Sequence, residues 1–335
     1  MKTKPIDTTR TLNSQTSGSS ARTSMANKIP VILDTDIGSD IDDTWALGYM
    51  LKCPELDVRM VITNSGDTLY KAKVVAKMLQ VADRTDVPVA IGIRDQIDET
   101  NHKNQAAWIE GYSLDEYPGK TCNDGVSALI ELIMASKETI TLICIGPLPN
   151  INKALRREPR IASKCRFVGM HGRINCPPDY GGECNVRLNV AAAKAVFTAQ
   201  WESIVITPMD SCNLVSLKGS KYQQVRASKD PIATAIMENY RIWHPHWPCS
   251  FNPDIASMGL CDTVAVYLSY DDTFLKMETL AIIVTDDANT KIDPVNGRLM
   301  RVATGWNDLP AFEDILVARL TGKTSNDQSI GAPCA

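Results

Sequence analysis

The sequence predicts an α/β fold: one open, mainly parallel sheet flanked by helices. Three observations predict it. Wholly apolar runs of strand length recur along the chain, as in Ile29-Pro30-Val31-Ile32-Leu33 and Leu142-Ile143-Cys144-Ile145. Segments with helical spacing of apolar residues separate them. The alternation continues from residue 29 to about 320 with no linker-like break or internal repeat. Strands without polar alternation are those buried on both faces, and such sheets place ligands at the carboxyl ends of their strands.

The elements follow in order. Residues 29–33 form the first strand, and an acid-rich loop leads to a helix over 44–51. Val58-Arg59-Met60-Val61-Ile62-Thr63 is the second strand. Residues 69–82 are helical, with apolar positions at 74, 75, 78, 79 and 82. Val87-Pro88-Val89-Ala90-Ile91 is the third strand. Residues 95–121 are polar and aromatic without a period and read as a long loop or insertion, of the kind that over an α/β sheet often carries function. Alternation then resumes with helix 124–136, strand 139–145, helix 149–157, strand 166–169, helix 189–199 and strand 203–207. Helices 229–242 and 261–269, strands 279–285 and 299–303, and helix 309–320 complete the series.

Residues 1–27 differ in kind. Eleven of them are Ser or Thr and only Asp7 is acidic, so the segment reads as a disordered tail without a secretory apolar core. The expected organisation is a tail over 1–27, one α/β domain over 28–322 and a C-terminal tail over 323–335. A net charge of −4 opposes non-specific binding to nucleic acid or anionic membrane. No apolar run approaches the ~20 residues that span a bilayer. The ten cysteines form no CxxC pair and no zinc spacing. They read as small buried hydrophobes in a reducing, cytoplasmic compartment.

Asp34-Thr35-Asp36-Ile37-Gly38-Ser39-Asp40-Ile41-Asp42-Asp43 carries the chemistry. Five carboxylates in ten residues repel one another and raise one another's pKa unless a cation sits among them. The helix N-terminus after Asp43 offsets only part of that repulsion. All-oxygen donors suit a hard divalent cation, Ca²⁺ or Mg²⁺. An EF-hand does not fit. Counted from Asp34, the fifth position is Gly38, the sixth Ser39 and the twelfth Trp45.

Two family resemblances arise here. Strand-Asp34-x-Asp36, with Asp286-Asp287 after a later strand, is similar to the acidic motifs of haloacid-dehalogenase-type phosphatases. That reading implies a Mg²⁺-dependent phosphohydrolase with Asp34 as nucleophile, and it leaves Asp40, Asp42 and Asp43 without a role. The same stretch, written DxDxGxDxDDxxAL, resembles the N-terminal signature of the nucleoside hydrolase family in a longer form. Further blocks follow in the family's order: Ser65-Gly66-Asp67, Ile145 to Asn150, Val168 to Gly172, Glu183-Cys184-Asn185, Pro208-Met209-Asp210 and Cys261 to Val266. Together they cover residues 29–320.

This second resemblance implies Ca²⁺-dependent hydrolysis of a ribonucleoside N-glycosidic bond, in purine or pyrimidine salvage, by a homodimer or homotetramer. By position it implies Asp36, Asp42, Asp43, Asp262 and a backbone carbonyl near Leu148 or Pro149 as metal ligands. Asp36 is also the implied general base, and Asp42 a ribose contact. Glu183, Asn185, Asn175 and Asp67 match sugar-binding positions. Asp34 falls behind the ligands, and Asp40 has no counterpart. Cys261 stands where some members have a leaving-group histidine. His171, His244 and His246 are therefore alternative acids, and Trp243 and Trp247 are candidate stacking partners for the base. A non-catalytic, nucleoside-binding member of the same fold is a third reading, since Cys261 and Asp67 depart from the pattern.

Overall fold

The structure is a computed structural model that describes Met1 and residues 28–96, 102–175, 181–247 and 252–322. Apart from Met1, the expected tails over 1–27 and 323–335 lie outside the described residues. The chain runs β1 (Ile29–Thr35), α1 (Asp42–Leu51), β2 (Leu56–Thr63), α2 (Thr68–Val81), β3 (Val89–Ile91) and β4 (Thr121–Cys122). It continues through α3 (Gly125–Ala135), β5 (Ile140–Cys144), α4 (Pro149–Arg157), β6 (Cys165–Met170), α5 (Cys184–Leu188), α6 (Val190–Thr198) and β7 (Ser203–Thr207). Helices α7 (Met209–Cys212), α8 (Gly219–Arg226), α9 (Pro231–Trp243) and α10 (Cys261–Leu268) follow. Strands β8 (Leu275–Val284), β9 (Thr290–Ile292) and β10 (Arg298–Trp306) precede α11 (Leu309–Thr321).

The ten strands form one sheet in the order β4-β3-β2-β1-β5-β6-β7-β10-β8-β9. From β4 to β10 every pairing is parallel, whereas β10–β8 and β8–β9 are antiparallel. The mainly parallel sheet expected from the sequence is therefore present, extended by a meander at one edge. Along β1, Val31 and Leu33 join the core on one face of the sheet while Ile32 joins the core on the other. That period of two with both faces apolar is the signature of a strand covered on both sides.

Strand order positions the site. The chain leaves β1 toward β4 and then returns to place β5 beside β1 on the other side. The connections after β1 and β5 diverge from that point, which opens a crevice at their carboxyl ends. The acid-rich loop and Gly146 to Pro149 both emerge there.

Several elements differ from the sequence reading. The strand expected at 279–285 begins at Leu275, because it pairs along its length with β10. The short helices α5, α7 and α8 and the strands β4 and β9 are too brief to show a period. Residues 95–121 do not form a free surface loop where they are described. Two 3-10 turns at Ala106–Ile109 and Leu114–Glu116 lead into β4, and Trp108 is buried with the Lys77 ammonium 4.7 Å over its ring. Asn104 donates to the Ser39 carbonyl (2.7 Å) and Gln105 to the Asp40 carbonyl (3.2 Å). This segment holds the acid-rich loop in place.

Candidate active site

The loop between β1 and α1 is shaped by its own residues. The Thr35 hydroxyl accepts from the Ile37 N–H (3.1 Å) and donates to Asp43 Oδ1 (2.5 Å), which closes the turn. Gly38 has φ +99°, and a Cβ there would lie 2.8 Å from the Tyr70 ring. Only glycine meets both conditions without strain. Asp42 and Asp43 open α1, and Asp262 lies in the first turn of α10. The packing of these two helices brings three carboxylates together, each offering an oxygen within 4.8 Å of the others. All three are buried. Burial, then the neighbouring carboxylates, push all three pKa values well above the usual range. The Asp262 N–H donates to Asp42 Oδ2 (3.4 Å), which gives only part of the compensation.

Asp36 lies beside this cluster and is partly accessible. Its charge contributes to the raised pKa of Asp42, Asp43, Asp262 and Glu183, which places all of them in one field. Gly146 packs against it: a Cβ at 146 would stand 2.6 Å from Asp36 Oδ1 and 2.9 Å from the Asn64 amide. Gly146→Ala is accordingly expected to destabilise the protein by only about 1–3 kcal/mol, the range for overpacking. It should also displace Asp36 and lower kcat by at least ~10-fold. Thermal unfolding and steady-state kinetics on that variant check both effects, and unchanged kcat would show that Asp36 tolerates displacement.

Behind Asp36, Asp34 is buried on β1 and accepts from the Asn64 and Asn150 side-chain amides. Burial raises its pKa to about 7. Asp40 is half-buried and its pKa is raised to about 6, by burial above all; its carboxylate accepts its neighbour's N–H, from Ile41 at 2.7 Å.

Glu183 caps α5. Its carboxylate accepts the backbone N–H groups of Gly172 (3.0 Å), Asn185 (2.6 Å) and Val186 (3.2 Å), yet burial still raises its pKa to about 7. The Asn185 amide donates to the carbonyls of Ile145 and Met170, which pins α5 to the ends of β5 and β6. Pro149 is buried in the first turn of α4. Asp67 caps α2 through the Tyr70 N–H (3.1 Å) and pairs with Lys103 at 2.6 Å. Burial raises its pKa, but those two partners outweigh it and the net shift is downward. Asn175 is exposed and held by its N–H to Asp210 Oδ1.

Two expectations, those for His171 and Trp243, are corrected. His171 is fully buried against Phe167 and Phe197, and its Nε2–H donates to the Gly146 carbonyl (3.0 Å). Burial lowers its pKa to about 4. It is neutral at pH 7 and packed beneath the site, so it is no leaving-group acid. Cys261 sits beside Cys212 and Met209. The Cys212 contact, then burial, push its thiol well above the ordinary range. Trp243 is fully buried with its indole N–H on the Ser39 carbonyl. It cannot stack on a base, and the exposed ring is that of Trp247, which stacks on Trp243 at 5.8 Å. His244 is half-buried in the turn that follows α9.

His171 gives a pH prediction. An ordinary histidine titrates near 6.5, so below that pH the unfolded chain binds a proton that the folded chain refuses. Stability from this residue is full above pH 6.5 and falls as the pH drops toward 4, by about 3 kcal/mol at most. The difference between the stability curves of wild type and His171→Gln should show that loss. Parallel curves would contradict it.

One buried group escaped the sequence reading. Lys71 on α2 is fully buried with its Nζ 4.0 Å from Asp36 Oδ2. The available signal was a lysine in register with the apolar positions Val74, Val75 and Met78.

A crevice at the switch point of a parallel sheet, lined by carboxylates from two helix N-termini, defines an acidic ligand site of an α/β protein, suited to cationic charge. The inosine-uridine preferring nucleoside hydrolase family model matches residues 31–313. The chain belongs to the nucleoside hydrolase family and is a nucleoside N-ribohydrolase. The pyrimidine-specific ribonucleoside hydrolase RihA of Enterobacter sp. (strain 638) is 30% identical over 223 residues, which is 63% of this chain and 69% of that protein. A plant nucleoside hydrolase structure superposes with TM-score 0.74 at 22% identity, covering 88% of this chain and 99% of that one. A purine-preferring ribonucleoside hydrolase from Gardnerella vaginalis gives TM-score 0.70 at 21% identity, covering 88% and 98%. The phosphatase alternative is set aside, and Asp34 is too deeply buried to serve as its nucleophile. No helix among the described residues is long and apolar enough to cross a membrane.

Proposed function

We propose that this chain hydrolyses the N-glycosidic bond of ribonucleosides to ribose and free base, in base salvage, with Ca²⁺ held by Asp36, Asp42, Asp43, Asp262 and a carbonyl near Pro149. The observation that carries the reading is the buried convergence of Asp42, Asp43 and Asp262. Three like charges out of water, with pKa values raised by burial and one another, are a costly arrangement that a divalent cation relieves. The all-oxygen donor set fits a hard ion. Bound there, the cation supplies charge to orient ribose hydroxyls and to acidify a water.

The chain's own residues do the rest. Asp36 is the most accessible of the cluster and takes the proton of the attacking water. Asp42 holds a ribose hydroxyl. Glu183 and Asn185 border the sugar and orient it. The carboxylates together stabilise the positive charge that develops on the ribosyl ring as the bond to the base breaks. On the base side we assign the exposed ring of Trp247 and the His244 imidazole as contacts.

The test is ribose release from inosine, adenosine, guanosine, uridine and cytidine, with Ca²⁺ and after chelation. Chelator-sensitive release supports the reading and ranks the bases. Release that survives chelation overturns the metal assignment. Binding without release from any of them overturns catalysis on common nucleosides.

A further inference from the structure

Lys71 is the feature that the proposed mechanism leaves unused. Its side chain is fully buried, and none of its three N–H donors reaches an acceptor within hydrogen-bond distance among the described residues. The closest acidic oxygen is Asp36 Oδ2, 4.0 Å away. Asp43, Asp95 and Asp67 also act on it. Asp95 in turn accepts the Gly66 N–H (2.8 Å) at the end of β2.

A buried ammonium with unmet donors is expensive, and a methionine of similar length would pack there at lower cost. Burial pushes the Lys71 pKa below its usual value, while the four carboxylates push it back. The chain nonetheless aims this charge at Asp36, which is more accessible than Asp42, Asp43 or Asp262. Nothing else on α2 calls for a cation at this position, since Val74, Val75 and Met78 on the same face pack into the apolar core.

We propose that Lys71 is a positioning residue of the acidic site. Its ammonium orients Asp36 for proton abstraction and, as a resident positive charge, weakens the grip of the carboxylates on a divalent cation. The Asp36 carboxylate is drawn toward α2 and away from full commitment to the ion. One oxygen then stays available to the attacking water. The same charge repels a divalent cation bound within several ångströms, so the site holds its ion less tightly than its count of carboxylates would suggest. Even at a water-like dielectric, repulsion between single and double charges this close changes affinity by about tenfold.

This inference rests on the cation-site reading above. Calorimetric Ca²⁺ titration and steady-state kinetics on wild type, Lys71→Met and Lys71→Arg test it. Lys71→Met should bind Ca²⁺ about tenfold or more tightly than wild type. Its kcat at saturating Ca²⁺ should fall about tenfold with little change in KM. Lys71→Arg should return the affinity to near wild type and recover part of kcat. A folded Lys71→Met with wild-type affinity and kcat overturns the proposal. Wild type that takes up no divalent cation overturns the cation-site reading instead, so the two failures are distinct. If neither variant folds, atomic-resolution crystal structures of wild type with and without Ca²⁺ decide. Lys71 Nζ facing Asp36 in both supports the role, and Nζ turned to other acceptors overturns it.

Discussion

Asp43→Asn is expected to abolish measurable Ca²⁺ binding, lower kcat by about 10³-fold or more, and raise the melting temperature of the cation-free protein. The first two effects follow from removing one of the three charges of the buried cluster. Charge supplied by a bound cation is worth several kcal/mol of transition-state stabilisation, which corresponds to such a factor. The third follows from repulsion. Asp43 is buried beside Asp36 and Asp42, and each raises its pKa. Asparagine keeps the oxygen that accepts from the Thr35 hydroxyl, so the turn before α1 survives. Relief of about 1 kcal/mol corresponds to roughly 2 °C in a chain of this size. Titration calorimetry, kinetics and scanning calorimetry without cation measure the three. A variant that melts lower than wild type would mean that Asp43 stabilises the fold rather than burdens it.

Asp36→Asn should lower kcat by about 10²- to 10⁴-fold, the range that general base catalysis supplies. KM for the nucleoside should change little. Cation binding should weaken but persist, because Asp42, Asp43 and Asp262 still converge. This separates Asp36 from Asp43: one variant keeps its ion and loses its chemistry, the other loses both. A folded Asp36→Asn enzyme within about tenfold of wild-type kcat would remove Asp36 from the role of base.

The long elements were legible because their signals are local. Helix α2 shows its period in Val74, Val75, Met78 and Leu79, and β5 carries the apolar run Leu142-Ile143-Cys144. Helices α5 and α7 have five and four residues, too few to repeat a period. The acid-rich loop was legible as a site because five carboxylates in ten residues demand a compensating charge. The roles of His171 and Trp243 were not legible. A histidine after a strand and a tryptophan ending a helix read the same whether they line a cavity or fill the core. Only the packing of Phe167 and Phe197 on one, and the Ser39 carbonyl on the other, decides.

By itself the sequence determined the α/β class and the carboxylate-rich loop that opens α1, since pattern and composition act within a few residues; the family showed in blocks spread from residue 29 to 320. Tertiary structure decided which carboxylates share one field. Asp262 lies 219 positions beyond Asp43, and the two come together only because α10 packs against α1. It also turned the apolar face of α2 so that Lys71 points at Asp36 rather than at water. Charges interact through space, with a strength set by distance and burial. Separation along the chain determines neither.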